Sequence, residues 1–273
     1  MLKDITLGQF FPGNSVLHKM NPSAKIVSSV LFIVAVFLCS NVFAFGFLVF
    51  LTALLVEISG IPFSVIGKTV KPLAFILIFT TAYNIFFGTG ETVLFEWKFI
   101  SITVEGIYTA ILIAIRIICL LVGSSVILTY TTSPIELTDG IEELLKPLTL
   151  LKIDVHTFAM MMSIALRFIP TLIEETDKII SAQKARGADF ESGNIINRTK
   201  ALVPVLIPLF ASSIRHALDL ATAMECRCYR GGEGRTKLNR RRITARDVIV
   251  LVLFAAVIAA VVVMNRFCPG FGL

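Results

Sequence analysis

The sequence is short of charge and of the residues that do chemistry. Of 273 residues only 16% are charged and 56% are hydrophobic, where a soluble domain carries about 25% and about 45–50%. Mean hydropathy is +0.85. So much apolar surface cannot be buried in one water-soluble core, so part of the chain must lie in lipid. The three histidines, His18, His156 and His216, are scattered and form no metal-ligand spacing. Five cysteines are an odd number and suggest no disulfide framework, and Cys226-Arg227-Cys228 lacks the second pair a zinc site needs. No Gly-x-Ser-x-Gly occurs, nor any adjacent Ser, Cys, His and Asp set. No catalytic residue, cofactor or metal is therefore expected. Gly67-Lys68-Thr69 imitates the end of a phosphate loop, but Pro62 stands where the first glycine is required and has no N–H for a phosphate. Residues 1–21 hold no continuous apolar run of the kind a secretory signal needs.

What the chain does have is long apolar stretches. Residues 26–56 are without charge over 31 positions, enough for one long tilted helix or two short ones turning near Ser40-Asn41, since a span takes roughly 20 residues. Further stretches run from Pro72 to Phe87, Gly106 to Leu128 and Val248 to Met264. Asn21-Pro22 predicts a helix start, as do Ser133-Pro134-Ile135-Glu136 and Thr244-Ala245-Arg246-Asp247, both capping-box patterns. Sixteen of the 25 Lys and Arg residues lie between Thr131 and Ala245, while residues 88–105 have one Lys and three Glu. The positive-inside tendency puts the basic region in the cytoplasm and residues 88–105 outside. The basic concentration reads as topology or a docking surface, not nucleic-acid binding. Lys3, Lys19 and Lys25 favour two crossings within 26–56, for five spans in all. The expected fold is an all-α membrane protein. Residues 1–130 form a membrane domain of four spans, 131–245 a cytoplasmic domain of one short and two long helices, and 246–273 a final transmembrane helix with a short external tail.

Two long helices are expected in the middle region, from Asp154 to Arg186 and from about Asn197 to Tyr229. They share a layout. Arg186 and Arg227 are 41 residues apart, and each closes its helix beside small or turn-forming residues, Ala185 and Gly187 in one case, Cys226 and Cys228 in the other. Arginine at a helix C-terminus also has a plain explanation, because it meets the negative end of the helix dipole. Met160-Met161-Met162 with Phe158, Leu166 and Phe168 makes an adaptable apolar surface, either ordinary packing or a contact with a sliding partner. Arg116, alone inside a span, lines a cavity, pairs with Glu57, or makes a snorkelling or bundle-interior hydrogen bond.

The order Gln9-Phe10-Phe11-Pro12-Gly13-Asn14-Ser15, Leu17-His18-Lys19-Met20-Asn21-Pro22, Ser133-Pro134-Ile135-Glu136 and Ala165-Leu166-Arg167-Phe168-Ile169-Pro170 closely resembles the transmembrane coupling subunit of energy-coupling factor transporters. Ala182-Gln183-Lys184-Ala185-Arg186-Gly187-Ala188 and Tyr229-Arg230-Gly231-Gly232 add to the likeness. The resemblance implies a non-catalytic subunit of an ATP-driven importer of vitamins or metal ions in the cell membrane. It implies two ATP-binding cassette ATPase partners, a heterodimer by expectation, that receive Ala185-Arg186-Gly187 and Cys226-Arg227-Cys228. It also implies a separate substrate-binding membrane subunit, for which Met160, Met161 and Met162 are the candidate contact. Cys226 and Cys228 depart from the Ala and Gly of the family pattern. The alternatives are an ion-coupled secondary transporter, disfavoured because only Arg116 lies well inside a span, and an intramembrane enzyme.

Overall fold

The computed structural model describes residues 10–87, 92–97, 100–152, 154–188, 190, 195–231 and 244–267. The expectations for residues 1–9, for Gly232 of the Tyr229-Arg230-Gly231-Gly232 motif and for the tail beyond Phe267 fall outside them. The chain divides into two compact units: a bundle formed by Gly8–Glu143 with Arg241–Leu273, and a unit containing Leu144–Arg240.

In the bundle, Ser15 opens a single turn, α1 (Val16–Lys19), and Asn21 caps α2 (Pro22–Leu38) by accepting the Ser23 N–H at 3.0 Å. The charge-free run is thus two helices. α2 stops at Cys39, and α3 (Val42–Ser59) starts after Ser40-Asn41 and ends on Gly60. α4 (Phe63–Val70) runs through a 3₁₀ turn at Lys71–Leu73 into α5 (Ala74–Phe87). Lys68 and Lys71 therefore sit within one helical stretch, which Pro72 does not break because at the start of a turn it needs no N–H partner. The stretch expected as an external loop, residues 88–105, carries a small antiparallel hairpin, β1 (Val93–Trp97) and β2 (Ile100–Thr103); Trp97 pairs with Ile100 and Val93 with Thr103. α6 (Val104–Ser124) continues into a π-helical turn at Ser125–Thr129. α7 (Pro134–Leu145) stops ahead of Pro147, as expected, and α10 (Ala245–Phe267) returns to the bundle.

The core of the bundle lies among α2, α3, α6 and α10, with Phe32, Ala35, Val36, Ala44, Leu48 and Val261 sealed from the surface. Phe32 meets Phe254 edge to face, ring centroids 6.4 Å apart. Polar residues tie the ends of these helices together. Asp247 accepts the Asn21 and Thr244 N–H groups at 3.0 and 2.8 Å, so one carboxylate serves the starts of α2 and α10. The fully buried Lys25 donates to the carbonyls of Thr131 (2.7 Å) and His18 (3.3 Å). Gly140 lets α7 lie against the start of α2: a Cβ there would come within 2.9 Å of the Pro22 backbone. The neighbouring Ser23 hydroxyl donates to Glu143. At the opposite turn Arg116 donates to the Cys39 carbonyl at 2.8 Å and lies 5.2 Å from the Phe45 ring centre, so a bundle-interior hydrogen bond accounts for it. Asn265 donates to Leu38 and Asn41 to Met264, which stitch the same corner to α10.

The other unit contains two long helices, α8 (Val155–Ala185), which Asp154 caps through the Thr157 N–H at 3.0 Å, and α9 (Ile195–Cys226). Among the described residues they meet through side-chain contacts in antiparallel register. Phe168 faces the His216 ring at 6.1 Å, Glu175 accepts the Ser212 hydroxyl, and Gln183 donates to the Pro204 carbonyl at 3.2 Å.

Six helical stretches among the described residues are long and apolar enough to cross a membrane, and α2 is a shorter apolar helix. The stretches that hold α3, α6 and α10 have mean hydropathies of 2.3, 2.7 and 3.0. Those of α8 and α9 have 1.4 and 1.6, close to the 1.5 of Phe63–Phe86. By length and composition α8 and α9 thus qualify as well, although Pro170, Pro204 and Pro208 interrupt their ladders.

Candidate functional site

The two arginines singled out in the sequence stand on helix ends with one and the same backbone bonding. At the end of α8, Arg186 N–H reaches the carbonyls of Ala182 (3.3 Å) and Gln183 (3.1 Å), Gly187 N–H that of Lys184 (3.0 Å), and Ala188 N–H that of Gln183 (3.0 Å). At the end of α9, Arg227 N–H reaches Ala223 (3.3 Å) and Met224 (3.1 Å), Cys228 N–H reaches Glu225 (2.8 Å), and Tyr229 N–H reaches Met224 (3.0 Å). This is the Schellman arrangement, in which the residue after the cap turns left-handed so that the last carbonyls find donors. That residue is Gly187 at φ +88° in one end and Cys228 at φ +56° in the other. Glycine adopts this conformation freely, while for cysteine it costs about 1–2 kcal/mol. The departure from the family pattern at Cys228 is therefore a conformational one.

Ala185, Arg186, Gly187, Cys226, Arg227 and Cys228 are all exposed. Neither guanidinium has a hydrogen-bond or ion-pair partner among the described residues, so each keeps five N–H donors for another molecule. The antiparallel register puts the two tips at opposite ends of the stretch over which α8 and α9 touch. Met161 and Met162 are exposed and Met160 half-buried, on the N-terminal half of α8, away from the Arg186 tip.

Sequence reading missed the residues that hold the helices together. Glu175 bonds Ser212 and lies 3.9 Å from His216 Nδ1, and Gln183 bonds the α9 backbone. The signal available was the proline pair itself. Pro208 removes the N–H that would serve the Pro204 carbonyl, which calls for a donor from elsewhere.

Comparison with known proteins bears on this geometry. Residues 13–238 match the model of the CbiQ family, described as cobalt transport protein. The chain is 51% identical over 265 residues to the energy-coupling factor transporter transmembrane protein EcfT of Ruminiclostridium cellulolyticum, which covers 97% of this chain and 98% of that one. It is 48% identical to the EcfT of Clostridium kluyveri, over 99% and 100% of the two chains. The EcfT of Bacillus subtilis is 44% identical, over 92% and 95%. The chain belongs to the transmembrane-protein family of energy-coupling factor transporters. The likeness anticipated from the sequence motifs therefore holds across nearly the whole length. As a member of that family the chain is a membrane subunit of a multi-subunit transporter.

Proposed function

We propose that the chain is the non-catalytic coupling subunit of an ATP-driven importer, and that the ends of α8 and α9 dock into two ATP-binding cassette ATPases. The observation that carries this reading is the pair of equivalent helix ends, each presenting an exposed arginine, without a partner among the described residues, at the same position of the same turn. A planar guanidinium satisfies several carboxylate and carbonyl groups of a groove at once, as the compact ammonium of lysine does not. Ala185 and Gly187 flank Arg186 with little bulk, which lets a partner approach the backbone. Two such ends, at opposite ends of one helix pair, give each of two ATPases its own handle. Closure of the ATPases around ATP then moves both helices.

In this reading residues 1–130 and 246–273 are the membrane domain, and residues 131–245, with the excess of basic residues, lie on the cytoplasmic side. Met160, Met161 and Met162 receive the substrate-binding membrane subunit, which selects a vitamin or a metal ion. The ATPases supply the hydrolysis, since the one sequence that imitates a phosphate loop lacks its first glycine.

The test is co-purification of the ATPases and substrate uptake for Arg186→Ala, Arg227→Ala and the double variant at equal expression. Each single change is expected to weaken attachment roughly thirty-fold or more, since truncating one partner of a desolvated hydrogen-bonded charge pair costs about 2–5 kcal/mol and about 1.4 kcal/mol is tenfold. The double change is expected to abolish assembly largely. Arg→Lys rescues in part. Full assembly and uptake by the double variant would reduce both arginines to helix caps. Membrane sidedness is read separately: a cysteine placed at Thr92 reacts with an impermeant label from outside, and one at Gly193, which lies outside the described residues, only from inside.

A further inference from the structure

Pro204 and Pro208 stand one helical turn apart in α9. In an unbroken helix the carbonyl of residue 204 accepts the N–H of residue 208, but proline has none, so the Pro204 carbonyl is left over. Gln183 of α8 fills the place, donating from Nε2 at 3.2 Å. The backbone of the same residue closes the end of α8, because its carbonyl accepts the N–H groups of Arg186 and Ala188. Gln183 therefore belongs at once to the turn that displays Arg186 and to the joint with α9. A second joint, Glu175 with Ser212, keeps the same register, eight residues back along α8 and eight forward along α9.

The two tips differ in their distance from these joints. Arg186 lies three residues beyond Gln183, about 4.5 Å of helix rise at 1.5 Å per residue. Arg227 lies eleven residues beyond His216, the nearest to it of the side-chain contacts described between α8 and α9, or about 16 Å. A push on Arg186 meets a joint to the neighbouring helix within one turn, whereas a push on Arg227 acts through a longer arm before it reaches a side-chain contact among those described.

We propose that Gln183 is a positioning residue that passes displacement of the Arg186 tip into α9, using a backbone carbonyl that Pro208 has set free. This rests on the docking reading above, and the experiment separates the two. Complexes are purified with their partners attached, and the amount of substrate taken up per ATP hydrolysed is measured. Gln183→Met keeps the length of the side chain and removes the donor, and the ratio is expected to fall roughly two- to tenfold, the span that one hydrogen bond supports. Gln183→Lys retains a donor of similar reach and is expected to restore it. Pro208→Ala returns an N–H to α9 that reclaims the Pro204 carbonyl, so it should lower the ratio as much as Gln183→Met, and the two changes together should do no more than either alone. An unchanged ratio in Gln183→Met, or additive losses in the double variant, overturns the proposal. Detachment of the ATPases from Gln183→Met overturns it too, because the residue would then act in docking itself. Absence of ATPases from the unsubstituted chain would instead overturn the docking reading.

Discussion

In the bundle Phe32, Ala35, Val36, Ala44, Leu48 and Val261 are fully sealed, whereas among the described residues of the unit holding α8 and α9 only Val155, Ala159, Val205 and Ser212 are buried. The bundle ties its helix ends with the buried Lys25 and Asp247 and the half-buried Arg116, each reaching backbone of another segment. The helix pair relies on a few side-chain contacts and leaves its two arginine-bearing ends open. The contrast is that between a packed scaffold, in which interior polar groups fix one arrangement, and a lightly joined pair of long rods whose ends are exposed. Damage to the first should register as lost stability, and damage to the second as lost assembly or coupling.

The largest expected effect breaks that comparison if it fails. The double variant Arg186→Ala, Arg227→Ala should lose most ATPase attachment and yet unfold at the same temperature as the parent in detergent, because both side chains are exposed and have no partner among the described residues. In the bundle, Asp247→Ala leaves the buried Asn21 N–H without its acceptor, and an unsatisfied buried donor costs about 1–3 kcal/mol. A lowered unfolding temperature of the purified chain is the readout, and a complex that does assemble should retain both ATPases. Arg116→Leu removes one charge-assisted hydrogen bond to Cys39, and a comparable loss, about 1.5–3 kcal/mol, is expected by the same measurement.

The next effect sharpens the comparison of the two tips. Cys228→Gly should stabilise the end of α9 by about 1 kcal/mol by relieving the left-handed turn, and Gly187→Ala should destabilise the end of α8 by a similar amount. Amide hydrogen exchange at Tyr229 and Ala188, whose N–H groups close the two turns, reports both changes. The smallest effect belongs to Asp154. The Thr157 hydroxyl and N–H hold its carboxyl below the usual aspartate range, with His156 adding a minor pull. Its native pKa being lowered, the cap contributes in full above the ordinary aspartate value and is lost as pH falls through the lowered one. Exchange in the first turn of α8 should therefore quicken only in acid, and Asp154→Asn, an equally good cap without a titration, should flatten that dependence.

Much of this was legible in the chain because it is written locally. Asn21-Pro22, Ser133-Pro134 and Thr244 to Asp247 announced α2, α7 and α10 through caps that act over three or four residues. Apolar run length announced the spans. The shared layout of two arginine-bearing helix ends marks the candidate site in the sequence itself. The hairpin between α5 and α6 was missed, since a short strand pair between two apolar helices has no long-range pattern of its own.

Contacts between distant segments were not written locally. Lys25 meets Thr131 across 106 residues, Asn21 meets Asp247 across 226, and Gln183 meets the Pro204 carbonyl only because α8 and α9 pack antiparallel in one register. Sequence by itself determined which segments are helical, where they start and stop, and that the chain lives in a membrane, because propensity, capping and transfer free energy depend on neighbouring residues. Tertiary structure alone decided that Arg116 serves the Cys39 carbonyl, that both arginines sit on the same left-handed turn, and that a carbonyl freed by proline is filled by glutamine from the neighbouring helix. Those outcomes depend on which backbone groups lack a partner once every helix is in place.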